Sequence, residues 1–351
     1  MLLRRYLPIK MNIKSRFGAS RRIFTYSEEN AMYLFKYILK RLGLMVFTFF
    51  IIVAMCFVFI KLLPNEIVLQ PGQDLNLLLA HREKLGYDRP IPEQFLKFLR
   101  YAIVGDFGVG EIKYVGRQVW DVFAEKLPYT LCLNLLSILV SIPLGLGLGI
   151  FAALKKNKWQ DHLISTSVMI FVSVPSFIYA FLVQSVLCLK LGLFEPLAET
   201  AYGAWSWQYI RSIIPAVIAM SFGTIAGFTR YTRAELTEVL TSEFMLLART
   251  KGLTRGQATI RHAMRNAMVP IFPMILGEFI SIMSGSLIIE QIFSIPGVGQ
   301  LYLLSVQAKP HPDYNFFMLL TVFYTLIGLV AGIVIDISYG IIDPRIRMGA
   351  K

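Results

Sequence analysis

The sequence predicts an all-α, polytopic membrane protein with six transmembrane helices, and three observations predict it. Apolar residues make up 56% of the 351 and charged residues 16%, with a mean hydropathy of +0.59, a balance foreign to a water-soluble globule. Six stretches, near residues 42–63, 129–154, 163–189, 213–229, 268–289 and 316–339, approach or exceed the length of about 20 apolar residues that a helix needs to cross the hydrocarbon core. Finally, 23 of the 35 Lys/Arg fall in residues 1–41, 155–162, 230–267 and 340–351, which lie on one side if the spans alternate. Excess Lys/Arg in short flanking segments marks the cytoplasmic face, so both termini are expected inside and segments 64–128, 190–212 and 290–315 outside.

Residues 1–36 form a basic cytoplasmic extension, including Arg4, Arg5, Lys10, Lys14, Arg16, Arg21 and Arg22. It suits either contact with an anionic leaflet or a disordered tail. A second possible start, Met32, directly precedes the first span, and no apolar run with a small-residue cleavage site precedes it, so no cleaved signal peptide is expected. Residues 64–128 carry eight basic and nine acidic residues and should fold as a small extracytoplasmic cap. Leu75 to Leu79 suggest a short helix in it, Asp88-Arg89-Pro90 with Pro92 a turn, and Gln94 to Leu99 a second, amphipathic helix. In the second span, Gly145 and Gly149 form a GxxxG face for close helix packing. Gly145-Leu146-Gly147-Leu148-Gly149 is no dinucleotide loop, because no strand precedes it and the glycines lie inside an apolar run. Pro143, Pro175, Pro215, Pro270 and Pro273 sit in or near spans, where kinks are tolerated.

Several function classes find little support. The net charge of +13 sits on flanks of spans without a basic and aromatic stripe, so no nucleic-acid partner is expected. Cys56, Cys132 and Cys188 lie in apolar runs as small hydrophobes. His81, His162, His262 and His311 show no metal-ligand spacing, and no metal site is expected. A P-loop signature is absent from the chain.

The segment with the most structure in its sequence is the cytoplasmic loop 230–267, which reads as helix, stop, turn, helix. Ser242 is placed to cap a helix through Phe244 to Ala248, with Glu243 near its positive end. Gly252 supplies a left-handed stop after Arg249 and Lys251, and Thr254 is placed to cap the next helix. Composition alone leaves a solvated, positive-inside connector as the simpler reading.

Resemblance changes that reading. The string from Ala248 to Pro270, ARTKGLTRGQATIRHAMRNAMVP, resembles the coupling loop of ABC-importer permeases, specifically the first permease of the oligopeptide/dipeptide/nickel group. Leu85 to Pro90 with Gln94-Phe95, Gly105-Asp106-Phe107-Gly108, Leu127 to Leu131, Val174 to Phe177, Glu290 with Phe293 and Pro296-Gly297-Val298-Gly299, and Asp336 with Asp343 to Arg347 continue the likeness. It runs from about residue 32 to 347. Leu246 and Leu247 stand where the general pattern has Glu and Ala.

The resemblance implies a type I permease domain at 37–347, followed by a tail at 348–351, in a bacterial cytoplasmic membrane. It implies a second homologous permease, two cytoplasmic ATPases carrying ATP and Mg, an extracytoplasmic substrate-binding protein and a peptide substrate, with no cofactor bound by this chain and no catalysis by it. Nickel chelates or other small solutes remain alternatives. Leu246, Leu247, Ala248, Arg249, Thr250, Lys251, Gly252 and Leu253 become the ATPase-coupling residues, with Leu246, Leu247 and Leu253 as apolar anchors. Glu278, mid-span, is a candidate pore or interface residue, since a charge there must face protein or water. A proton-coupled secondary transporter would carry several intramembrane carboxylates or histidines, and Glu278 is nearly alone.

Overall fold

The computed structural model describes residues 39–63, 83, 86, 88–283, 286–307 and 312–342. The chain divides into two units, Met1–Ile51 and Ile52–Lys351, and the second holds the helix bundle. The extension 1–36, the Leu75–Leu79 helix, the motif Asp343 to Arg347 and the tail lie outside the described residues.

Among the described residues the fold is all-helical, with two isolated bridges, Val109 with Gln118 and Gly110 with Val115, and no strand. Helix α1 is Leu39–Leu62 and α2 is Ile91–Ile103. Helix α3 is Val119–Leu154, α4 Trp159–Ser173, and α5 Ser176–Val183 continuing as a π-helix, Gln184–Lys190. Then come α6 Trp207–Ser212, α7 Ile214–Leu240, α8 Glu243–Thr250 and α9 Arg255–Ala258 with a π-helical Thr259–Ala263. Helices α10 Met264–Ser281, α11 Leu287–Ile292, α12 Gly299–Gln307 and α13 Tyr314–Ile342 complete the order.

Among the described residues three helices, α1, α3 and Tyr314–Ser338 of α13, are long and apolar enough to cross a membrane, and a fourth span results if the bent pair α4/α5 is counted as one. The expected third span is therefore not straight: its halves meet at 102°. Pro175 explains the break, because it pushes Val174 into an extended conformation (φ −90°, ψ 128°). Tyr179 Oη donates to the carbonyls freed there, those of Val174 at 2.6 Å and of Phe171. The expected fourth span continues as α7 to Leu240, since 230–240 contains no helix breaker, and the expected fifth stops at Ser281. Pro92, expected in a turn, instead occupies the first turn of α2, where its missing N–H costs nothing.

The core is built around α3 and α7. At Gly145 an added Cβ would stand 2.7 Å from Phe228 Cβ, and at Gly149 2.6 Å from Thr232 Cβ and 2.8 Å from Thr229 O. The GxxxG face is thus the place where two helix backbones come together, with Thr229 Oγ1 donating to Gly145 O at 3.2 Å. Ser137 and Ser221 hydroxyls meet in the same seam at 3.2 Å. Gly147, on the same helix, faces open space. Gly149→Val should therefore lower the thermal unfolding midpoint of the purified protein, by an overpacking cost of about 1–3 kcal/mol, while Gly147→Val leaves it nearly unchanged. Equal effects would show that the seam is not the tight contact.

Helix α1 buries Val53, Phe57 and Ile60 along one face, and Phe57 packs on Phe95 and Phe98 of α2 with ring centroids 5.2 and 5.6 Å apart. This is the apolar face of the amphipathic helix expected in the cap. Lys61 lies with its Nζ 3.7 Å from the Tyr314 ring centroid, a cation–π contact at the end of its span.

Candidate functional site

The loop 241–254 is built from local signals. Helix α7 ends at Leu240, and α8 begins at Glu243 after Thr241 and Ser242, the latter extended (φ −74°, ψ 154°). The Ser242 side chain does not cap α8 as expected; it donates back to Val239 O at 2.5 Å, a bond that ties it to the preceding helix. The C-terminal stop is as the sequence suggests. Gly252 has φ +91°, Gly252 N–H donates to Arg249 O at 3.0 Å, and Leu253 N–H reaches Ala248 O at 3.4 Å, the Schellman arrangement. Thr254 then forms a capping box with Gln257: Gln257 N–H donates to Thr254 Oγ1 at 3.3 Å and Thr254 N–H to Gln257 Oε1 at 3.1 Å.

The two faces of α8 differ in what they touch. Met245 and Ala248, one turn apart, are buried with Ala153 of α3, Leu236 of α7, and Ala258, Ala263 and Ala267 beyond the turn, flanked by Ile150, Val239 and Leu240. Leu246 and Leu247 point the other way and are 64% and 56% exposed; Phe244 is exposed beside them. Arg249, Thr250, Lys251 and Gly252 are exposed as well, with the Thr250 hydroxyl donating to Leu247 O at 2.8 Å. Leu253 is half-buried against the inner cluster, so it closes the turn rather than standing outward with Leu246 and Leu247. Met245, absent from the expected set, is the inner anchor; its spacing of three from Ala248 was the available signal. The arrangement is a short rod seated on the helix bundle by one face, closed at its C-terminal end by the Gly252 turn, with an uncovered apolar face opposite.

Glu278 lies on α10, half-buried, on a helix that packs on α13 at the neighbouring Gly277, whose added Cβ would stand 3.5 Å from Ile335. It is not brought to the 241–254 loop.

A second polar node sits at the other end of the bundle. Glu290, fully buried on α11, accepts from Thr130 Oγ1 of α3 at 2.7 Å and from Gly299 N–H, the first residue of α12, at 2.9 Å. Thr130 Oγ1 in turn accepts from Val298 N–H at 2.9 Å. The carboxylate satisfies the orphan donors at the start of α12 and complements its positive end. An added Cβ at Gly297 would overlap the carboxylate, and one at Gly299 would stand 2.8 Å from it, so both glycines exist to let the turn wrap the carboxylate. Nearby, Ala198 N–H donates to Phe293 O at 2.9 Å, and Gln184 Nε2 donates to Pro196 O at 2.8 Å and Ile292 O at 3.0 Å, joining the 190–212 and 290–315 segments. Asp313 Oδ2 receives Glu111 and Ile112 N–H at 3.0 and 3.2 Å, and Asn315 Nδ2 donates to Val109 O at 2.8 Å, pinning residues 109–112 to the start of α13.

Comparison with known proteins agrees with this architecture. The family described as the binding-protein-dependent transport system inner membrane component matches residues 145–348, and the N-terminal region of such membrane components matches residues 34–134. The dipeptide transport system permease protein DppB of Lactococcus lactis subsp. cremoris is 33% identical over 313 residues, covering 89% of this chain and 99% of that protein. The glutathione transport system permease protein GsiC of Escherichia coli (strain K12) is 31% identical over 317 residues, covering 90% and 99%. With matches that together cover most of the chain, this protein belongs to the binding-protein-dependent transport system inner membrane component family, as a multi-pass, non-catalytic permease subunit of the ABC-importer class.

Proposed function

We propose that this chain is one of two permeases of an ATP-driven importer for short peptides, and that α8 is the rod through which a cytoplasmic ATPase moves it. The observation that carries the reading is the division of α8 into a packed face, Met245 and Ala248, and an uncovered apolar face, Leu246 and Leu247 with Phe244. Exposed large apolar residues on a short rigid rod favour a protein partner, because burying them against one releases about 25 cal/mol per Å². Arg249, Thr250 and Lys251 supply a polar rim. Gly252 and the Thr254 capping box make the rod's end stiff, and a stiff rod transmits displacement.

In this reading the chain crosses the membrane six times with both termini cytoplasmic. The permease domain is 37–347, preceded by the basic extension 1–36 and followed by the tail 348–351. Its partners are a homologous second permease lining the pore, two ATPases that hold ATP and Mg, and an extracytoplasmic binding protein that delivers peptide to the mouth shielded by 64–128 and 290–315. Glu278 faces the pore or the permease interface. The chain itself binds no cofactor. The peptide class rests on the dipeptide and glutathione relatives, and specificity resides mainly in the binding protein.

Copurification and uptake test this. Tagged chain should bring down an ATPase, and the assembled complex with its binding protein should accumulate dialanine in vesicles when ATP is supplied; Gly252→Pro should abolish that uptake. Accumulation of a nickel chelate instead of peptide would overturn the substrate class alone. Topology is checked separately: reporters fused at Asn157 and Gln257, both exposed, should register cytoplasmic and one at Gly203 external. The opposite pattern would invert the orientation.

A further inference from the structure

Asp161 stands in the first turn of α4 with its side chain 1% exposed. Its carboxylate is fully engaged. Arg233 of α7 donates from Nε to Oδ1 and from Nη2 to Oδ2 at 2.8 Å, Asn157 N–H donates to Oδ2 at 2.9 Å, and Ser165 Oγ to Oδ1 at 3.3 Å. A forked guanidinium with two further donors is the kind of environment in which a buried carboxylate persists.

Position gives the pair its interest. Among the fifteen residues of α4, Asp161 and Val168 are the buried ones, while Trp159 and Leu163 beside the pair are exposed. With few buried apolar side chains beside it, the ion pair is a specific, directional tie between the start of α4 and α7. Arg233 lies one helical turn before Leu236, which is buried against Met245 and Ala248 of α8, and next to Thr232, which meets Gly149 of α3. At this height α7 is joined to α8, α3 and α4 at once. At its far end α4 is attached to α7 again: Phe171 stacks on Phe222 at 4.9 Å, and Tyr179, just past the 102° bend, meets the same ring edge-on at 5.6 Å.

We infer that Asp161 and Arg233 are positioning residues for transport. They fasten the cytoplasmic end of α4 to α7, so that a displacement entering at α8 reaches the α4/α5 bend instead of being absorbed in the 155–158 loop. The inference rests on the proposed role of α8 as the ATPase-docking rod.

The test uses the complete complex with its ATPases and binding protein in proteoliposomes, with dialanine and reduced glutathione as probes, and reads probe accumulated per ATP hydrolysed. Asp161→Asn and Arg233→Ala complexes purified with all subunits should still hydrolyse ATP, with the ratio lowered about tenfold. Asp161→Glu, which keeps the charge, should recover most of it. If Arg233→Ala does not assemble, Arg233→Lys keeps the charge, loses the fork and serves the same readout. A merely structural pair would reduce the yield of complex but leave the ratio per assembled complex unchanged, and that result overturns the inference alone. Absence of ATP-dependent uptake of either probe by the wild-type complex overturns the proposed function and the inference with it.

Discussion

Leu247→Asp is expected to strip the ATPase from the complex while the permease stays folded. Leu247 is more than half exposed and touches little of its own chain, so the substitution should change stability by no more than about 0.5 kcal/mol. A central apolar anchor removed from a protein interface costs about 2 kcal/mol or more, which corresponds to roughly a thirtyfold loss of affinity. A charge forced into the same contact costs further desolvation. The contrast is with Met245→Asp on the opposite face of the same helix, which is buried in the bundle and should lower the unfolding midpoint of the isolated permease as well as ATPase capture. Two measurements check this: the amount of ATPase retained on the tagged permease, and the thermal midpoint of the permease alone. If Leu247→Asp lowers the midpoint as much as Met245→Asp, or retains ATPase like the wild type, α8 is a connector and not a docking surface.

The second large effect is expected at Glu290. Its removal in Glu290→Ala leaves Gly299 N–H without its acceptor and the Thr130 hydroxyl without the carboxylate it donates to. Each orphaned buried group costs about 1–3 kcal/mol, and of the links between α3 and the start of α12 the carboxylate bridge is lost while the Val298 N–H bond to Thr130 stays. Gly297→Ala should destabilise for a different reason, because its Cβ would overlap the carboxylate. The double variant discriminates. With the carboxylate gone, the new methyl enters vacated space, so the combined loss in unfolding midpoint should be clearly smaller than the sum of the two single losses. Additive losses would show that the glycine serves something other than wrapping Glu290.

Local chemistry was legible in the chain. The Gly252 stop, the Thr254 cap and the Gly145/Gly149 contact face each depend on a few adjacent residues or on a spacing of four, and each stands in the structure where the pattern places it. Ser242 is the instructive exception. A serine before a helix has two competing partners, the new helix's N–H groups and the preceding helix's carbonyls, and here the nearby end of α7 supplies the stronger one.

By itself the sequence determined the all-helical membrane character and the loop in which a short rod sits, because hydrophobicity, charge bias and capping act within a few residues of one another; the family came from the motifs that resemble it. Tertiary structure alone decided which face of α8 is spent on the bundle and which is left open. It alone also paired Asp161 with Arg233 across 72 residues and Thr130 with Glu290 across 160. Those pairings have no local signal: a buried carboxylate finds its donor only where packed helices bring the two to the same height.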